Sequence, residues 1–306
     1  MMHRRQFIQS TSLALASLLH KPARASLDGP AEPFRLNYIL ASPLYGTTPL
    51  SEVLAETARI GAAAVDIWPR RHADHREQMD AIGHDRVRQL LAEAKVHLGI
   101  ITRFDLGPYE LRNELPVLKS FGGKILVTGA GKGTGDSLKE QVRSFVASMR
   151  PHVEAAGEMG LTIAIENHAS SLISSTDSIR YFAEFAPEKH LGLALAPYHL
   201  PQDPALIARL VEDLGPKLSL FYAWQHGNGC MAPQPKEQEL LQLPGRGPLD
   251  FRPILASLKK INYSGWTEIF MHPYPRGIPI METTAQVTEM INRSRAYLES
   301  AIREGL

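Results

Sequence analysis

The chain has 306 residues, with 33 Lys and Arg against 32 Asp and Glu, 12 His, a formal net charge of +1 and 44% hydrophobic residues. A charge this balanced gives no electrostatic reason to bind DNA, RNA or anionic lipid, and the single cysteine, Cys230, excludes an intrachain disulfide. Stability must come from a packed core, and the length suffices for one large domain.

The chain opens on an address. Arg4-Arg5-Gln-Phe7-Ile8 precedes the apolar stretch Ser12–Leu19 and then Ala23-Arg-Ala25, a small-x-small cleavage site, with no acid before Asp28. The segment resembles a twin-arginine export signal, and its apolar core is too short to span a bilayer as a mature helix. The resemblance implies a signal peptide over residues 1–25, export of a folded protein to the periplasm or a similar extracytoplasmic space, and a single domain over 26–306. Cleavage would remove Arg4, Arg5, Lys21 and Arg24 and no acid, turning the net charge from +1 to −3. No other stretch is a candidate membrane span, and homo-oligomerisation stays open.

From residue 35 onward, β-like runs alternate with helical patterns. The runs are Leu36–Ala41, Ala63–Trp68, His97–Arg103, Lys124–Gly129, Leu161–Asn167, Leu191–Ala196, Leu218–Gln225 and Gly265–Met271. Between them lie amphipathic stretches such as 50–60, 86–94, 137–159, 177–185 and 204–214, several opening on plausible caps: Thr48 before Pro49, Asp136 or Ser137, and Ser175 or Thr176. Eight βα units at this length predict an α/β fold, the (β/α)₈ TIM barrel, ahead of a doubly wound open sheet. Gly129–Gly135 is glycine-rich without the Gly-x-Gly-x-x-Gly spacing, and reads as a turn before it reads as a phosphate cradle. Residues 227–248 form the longest gap, carry Arg246 near the end, and are expected to shape substrate access.

In such a barrel the chemistry sits where strands run into the following loops. Ile163-Ala-Ile-Glu166-Asn-His168 and Trp266-Thr-Glu268-Ile-Phe-Met-His272 are apolar runs ending in a carboxylate and then an imidazole. A buried strand tip that ionises needs compensation, because an unpaired buried charge costs several kcal/mol or more. A divalent metal is the natural compensator, and a polar substrate comes second. Strand two ends Val65-Asp66-Ile67-Trp68 with His72 and His75 behind it, and strand three ends Thr102-Arg103-Phe104-Asp105. Strand six gives Ala196-Pro-Tyr198-His199, and strand seven Tyr222-Ala-Trp224-Gln225-His226. A single buried His is more often a hydrogen-bonded core residue than a ligand, but five such strand ends would meet in one pocket.

At these residues the chain resembles the sugar phosphate isomerase/epimerase superfamily with the xylose isomerase-like barrel. That family shows Glu at the end of strand five, Asp-x-x-His at strand six, His or Gln at strand seven and Glu at strand eight. Glu166, Ala196-Pro-Tyr-His199, Gln225-His226 and Glu268 occupy these places here, and Asp66-Ile-Trp68 is similar to the family's strand-two tag. The resemblance implies a divalent metal (Mn²⁺, Zn²⁺, Co²⁺, Fe²⁺ or Mg²⁺) held by Glu166, Glu268 and His226 or Gln225, with Ala196 standing where the family's Asp ligand would be. It implies that Glu166 and Glu268 also move protons through an enediolate, and that His199 binds substrate. His168, Arg103, Trp68, His272 and Arg276 are further candidates for substrate binding, although His272 is equally a loop anchor, Arg276 equally a surface charge, and Trp68 reads as packing before it reads as a sugar platform.

The expected activity is isomerisation or epimerisation of a small-molecule carbohydrate. Lyase or hydratase chemistry on keto-glycosides needs the same α-proton abstraction. The missing Asp at position 196 also suits a degenerate, non-catalytic carbohydrate-binding barrel. An endonuclease of the apurinic type shares this fold but needs a basic groove that the charge does not supply.

Overall fold

The computed structural model describes residues 33–187 and 189–305, so the expected signal segment lies outside the described residues. Eight parallel strands close into a barrel in chain order: β1 Asn37–Ala41, β2 Ala64–Ile67, β3 His97–Thr102, β4 Ile125–Gly129, β5 Thr162–Glu166, β6 Leu191–Leu195, β7 Leu218–Ala223 and β8 Trp266–Ile269. Each expected run is a strand, trimmed at its ends. β1 pairs with both β2 and β8, so the sheet has no open edge. The runs are apolar at consecutive positions because one face fills the barrel and the other packs under helices; all five residues of β6 are buried.

Helices at Leu50–Thr57, His84–Ala94, Thr176–Phe185 and Pro204–Leu214 fall where the periodicity places them. The stretch read as one helix over 137–159 is two, Leu138–Ser148 and Arg150–Glu158. Pro151 in the first turn of the second helix has no N–H to continue the ladder, and Met149 joins the two without leaving the helical region. Ser137 caps with Glu140 and Ser175 with Ser178, each as a reciprocal box. Thr48 does not cap; Gln78 Oε1 instead accepts the Leu50 N–H at 2.7 Å. Among the described residues no helix is long and apolar enough to cross a membrane.

The glycine-rich loop after β4 lies flat on the helix that follows it. A Cβ on Gly133 would come within 1.8 Å of the Gln141 carbonyl oxygen, so the glycine serves close packing of loop on helix.

The long segment after β7 folds back over the barrel mouth through a short helix, Lys236–Glu239, and a 3₁₀ turn, Leu240–Gln242. Gln242 is fully buried and acts as a clamp. Its Oε1 accepts the Trp224 indole N–H at 3.1 Å and the His272 backbone N–H at 3.2 Å, while its Nε2 donates to the His272 carbonyl at 2.9 Å. One side chain thus ties the ends of β7 and β8 together.

Candidate active site

Two layers of side chains stack at the C-terminal ends of the strands. The deeper one holds Asp66 from β2, Glu166 from β5, Tyr222 from β7 and Glu268 from β8, with Tyr222 and Glu268 paired across the ladder. Side chains alternate along a strand, so two residues further on the same face come Trp68, Trp224 and Phe270. Phe270 stacks on Trp68 with centroids 5.2 Å apart and meets Trp224 at 4.9 Å. This aromatic layer seals Asp66, Tyr222 and Glu268, which are completely buried.

On β5 the equivalent position is His168, so Glu166 is roofed by imidazole. His168 and His199 have ring centroids 4.2 Å apart, and His199 Nε2 stands 3.6 Å from Glu166 Oε1. Glu166 is the one member of the deeper layer that keeps a trace of exposure, 3%.

Burial governs the charge states. Asp66 Oδ2 accepts the Trp68 indole N–H at 2.6 Å and the Thr102 hydroxyl at 2.8 Å. Those bonds oppose the desolvation that pushes Asp66 up to about 7. Desolvation likewise pushes Glu166 up to about 8, and carries Glu268 well above the carboxylate range with Asp66 beside it. Asp66 Oδ1, both Glu268 oxygens and the Tyr222 hydroxyl make no hydrogen bond of good geometry, although Tyr222 lies within electrostatic reach of all three acids. The imidazoles move the other way. Burial first, and the Arg276 charge after it, bring His72 down to about 4 and lower His272 strongly; His199 also falls to about 4, by burial, then His226, then Arg276. Glu166 and His199 therefore face each other at neutral pH largely as an acid and a neutral ring, and their contact is not an ionic pair.

Several expected residues are brought together and several are not. Glu166, His168, His199, His272 and Trp68 all reach the mouth. Arg276 lies over it, donating to the Pro273 and Cys230 carbonyls at 2.8 and 3.2 Å and to Cys230 Sγ at 3.1 Å. Arg103 is a correction. Thr102 faces in to Asp66, so Arg103 faces out, where it forks onto Asp105 at 2.9 and 2.7 Å and pairs with Glu114 at 2.5 Å. Its guanidinium is consumed by that network and not offered to a substrate.

Gln225 and His226 are corrections as well. Gln225 points away from the barrel interior: its Nε2 donates to the Leu243 carbonyl and its Oε1 accepts the Leu249 N–H, both at 2.8 Å. His226 is exposed beyond the strand, its N–H on Gln202 Oε1 at 2.9 Å and its Nδ1 3.3 Å from the Tyr198 carbonyl. Ala196 is fully buried with its backbone locked to the Asn167 amide at 2.7 and 3.0 Å. The residue that β7 turns toward the two glutamates is Tyr222, a phenol. Among the described residues no three His, Cys, Asp or Glu side chains converge as a cation site. Ala196 and Tyr222 supply no ligand at the strand-six and strand-seven places, so of the donor set the resemblance implies only Glu166 and Glu268 remain, and these two do not make up a divalent-ion site by themselves.

The open space at the mouth lies on the β2–β3 side. Trp68, Pro69, Arg70, Arg71, His72, Phe104 and Asp105 line a cavity of ≈ 430 Å³. His72 stacks on His272 with centroids 4.7 Å apart and joins this cavity to the mouth. Asp66, Tyr222 and Gln242 are functional positions with no role expected from the sequence; the acid in the strand-two Asp66-Ile-Trp68 tag is the one signal there.

The described architecture recurs in solved structures. An L-ribulose 3-epimerase superposes with a TM-score of 0.65 at 16% identity, covering 88% of this chain and 97% of that one. The IOLI protein with a bound zinc atom gives 0.65 at 15%, covering 89% and 99%. The probable 3-DHS dehydratase AsbF of Bacillus anthracis gives 0.64 at 13%, covering 86% and 99%. At these identities the likeness speaks for the fold. No curated protein sequence matches the chain. Residues 54–295 match the family of the xylose isomerase-like TIM barrel, and the chain belongs to that family.

Proposed function

We propose that the protein is an isomerase- or epimerase-type enzyme that moves a proton α to the carbonyl of a small carbohydrate, with Glu166 as the group that moves it. The contact between Glu166 Oε1 and His199 Nε2, 3.6 Å at the edge of the deeper layer that is roofed by imidazole and not by Trp or Phe, carries this reading. A carboxyl pushed to about 8 is a base matched to a weakly acidic C–H near neutral pH.

In its carboxylate form Glu166 takes the α-proton, the carbonyl π electrons shift onto oxygen, and an enediolate results. His168 is placed to bind that oxygen. Its Nδ1 accepts the Ser170 N–H at 3.2 Å, so the ring proton of the neutral form sits on Nε2 and is free to donate. Return of the proton by Glu166 to the former carbonyl carbon on the same face, while His168 gives its Nε2 proton to the first oxygen and takes the hydroxyl proton of the α-carbon, gives isomerisation. Return of a proton to the original α-carbon from the opposite face requires a second acid and gives epimerisation. Trp68 and Phe104 supply apolar walls for a sugar ring. Glu268, sealed under Phe270 and Trp224, has no direct part in this scheme.

A β-elimination shares the first step and differs in the fate of the enediolate. The His168–His199 pair beside Glu166 favours it as a second reading, since either ring can pass a proton to a departing oxygen. Incubation in D₂O with ketoses and with 3-keto-glycosides separates the two. Deuterium at the α-carbon of recovered substrate or isomer supports the first, an unsaturated product the second, and uptake in neither class overturns α-proton chemistry. An exported enzyme would meet such substrates outside the cytoplasm.

A further inference from the structure

The barrel mouth carries an excess of cationic and proton-accepting groups. Arg276 uses three of its five N–H donors on two carbonyl oxygens and a sulfur, leaving one on Nε and one on Nη2 without a protein acceptor. No carboxylate pairs with Arg276 or with Arg71 among the described residues. The loops bearing them abut, since a Cβ on Gly277 would lie 3.0 Å from the Arg71 carbonyl oxygen. His72 and His272 stack at 4.7 Å, with His72 lining the cavity beside Arg71 and both arginines within electrostatic reach of it, and the buried Nδ1 of His272 has no partner. Arg70 adds a third guanidinium to the cavity wall, its own acid, Asp74, standing 3.7 Å away. The one acid on that wall, Asp105, is taken up in two hydrogen bonds by Arg103.

From this arrangement we infer that the substrate carries an anionic group, the carboxylate of a keto-uronic acid or a phosphate ester, which docks on Arg276 and Arg71 above the His72–His272 pair. A planar guanidinium with two free donors suits the oxygens of either anion. The carbonyl end of the same molecule then points across the mouth toward Glu166. Nearby anionic charge would also raise the proton affinity of His72 and His272, giving the anion further donors once bound. The inference rests on the reading of this site as one that acts on a carbohydrate carbonyl, and adds the charge of what it accepts.

The test compares D-fructose, its 6-carboxylate D-fructuronate and D-fructose 6-phosphate by calorimetry, against wild type, Arg276→Gln and Arg276→Lys. One charged ketose is expected to bind at least tenfold more tightly than fructose, and which one identifies the anion. Arg276→Gln should cut that advantage to threefold or less while leaving fructose binding within twofold of wild type, and Arg276→Lys, which keeps the charge but not the fork, should keep only part of it. Equal binding of neutral and charged ketoses, binding of none of the three, or an advantage untouched by Arg276→Gln overturns the inference. Preferential binding without deuterium uptake would remove the α-proton reading and leave the anion site standing. Uptake with equal binding would do the reverse.

Discussion

Tyr222 on β7 is paired across the ladder with Glu268 on β8, and its hydroxyl lies within electrostatic reach of Glu166, Glu268 and Asp66. A β7 imidazole would have to stand there to bridge the two glutamates through a cation. With a phenol at that place and a methyl at Ala196, the deeper layer is a cluster of three acids, each holding its proton more tightly through burial, under an aromatic roof.

Restoring ligands should restore a metal site. The double variant Ala196→Asp, Tyr222→His is expected to bind Mn²⁺ or Zn²⁺ at least about tenfold more tightly than wild type, on the order of 1.4 kcal/mol or more. Isothermal titration of metal-stripped protein checks this. Unchanged affinity would mean that positions 196 and 222 do not face a common ion.

The buried acids set a pH dependence of stability. Asp66 and Glu166 hold their protons more tightly folded than unfolded. The stability they contribute is fully present below the unfolded values of 3.8 and 4.5, and is lost as pH rises through about 7 and about 8. His72 and His199 act in the opposite sense, their contribution present above 6.5 and lost as pH falls toward about 4. Asp66→Asn keeps an acceptor for Trp68 and Thr102 and removes one titration. It should raise the melting temperature at pH 8.5 by at least about 3 °C and change it by less at pH 5, read by calorimetry.

Gln242 should matter far beyond its place in a long loop. Gln242→Leu leaves the Trp224 indole N–H and the backbone groups of His272 without their partners inside the protein. The expected cost is about 2–4 kcal/mol, measured by urea unfolding, from buried polar groups left unpaired. A cost under about 0.5 kcal/mol would show that the loop does not clamp the mouth.

The address at the N-terminus has its own test. Changing Arg4 and Arg5 to Lys should leave the precursor in the cytoplasm, scored by fractionation and precursor size, whereas export of that variant would remove the twin-arginine reading.

The strands were legible because both faces of a closed parallel barrel are buried, which writes each strand as an apolar run between turn signals. Glu166 and Glu268 were legible because each ends such a run. The facing of β7 was not, because Leu218–Ala223 is apolar on both sides and its ladder with β6 shifts register between Leu193 and Ala194. The family resemblance, which implies His or Gln at the end of strand seven, therefore pointed to Gln225 and His226 and not to Tyr222. Arg103 was misjudged for a related reason: Thr102 takes the inward place on β3, and only the bond to Asp66 reveals it. Gln242 reaches Trp224 across a loop whose fold leaves no periodic trace.

Two glutamates that the family resemblance would make equivalent have different surroundings, and the proposed chemistry assigns the proton to Glu166 and leaves Glu268 in the sealed floor. Solvent-deuterium exchange into the accepted substrate, measured for Glu166→Gln and Glu268→Gln in parallel, tests that division most directly. The prediction is a loss of at least about 1,000-fold for Glu166→Gln, against less than about tenfold for Glu268→Gln. Exchange in wild type should rise with pH through about 8 as Glu166 gives up its proton. Equal losses from the two variants would contradict the account and return both carboxylates to a shared catalytic centre.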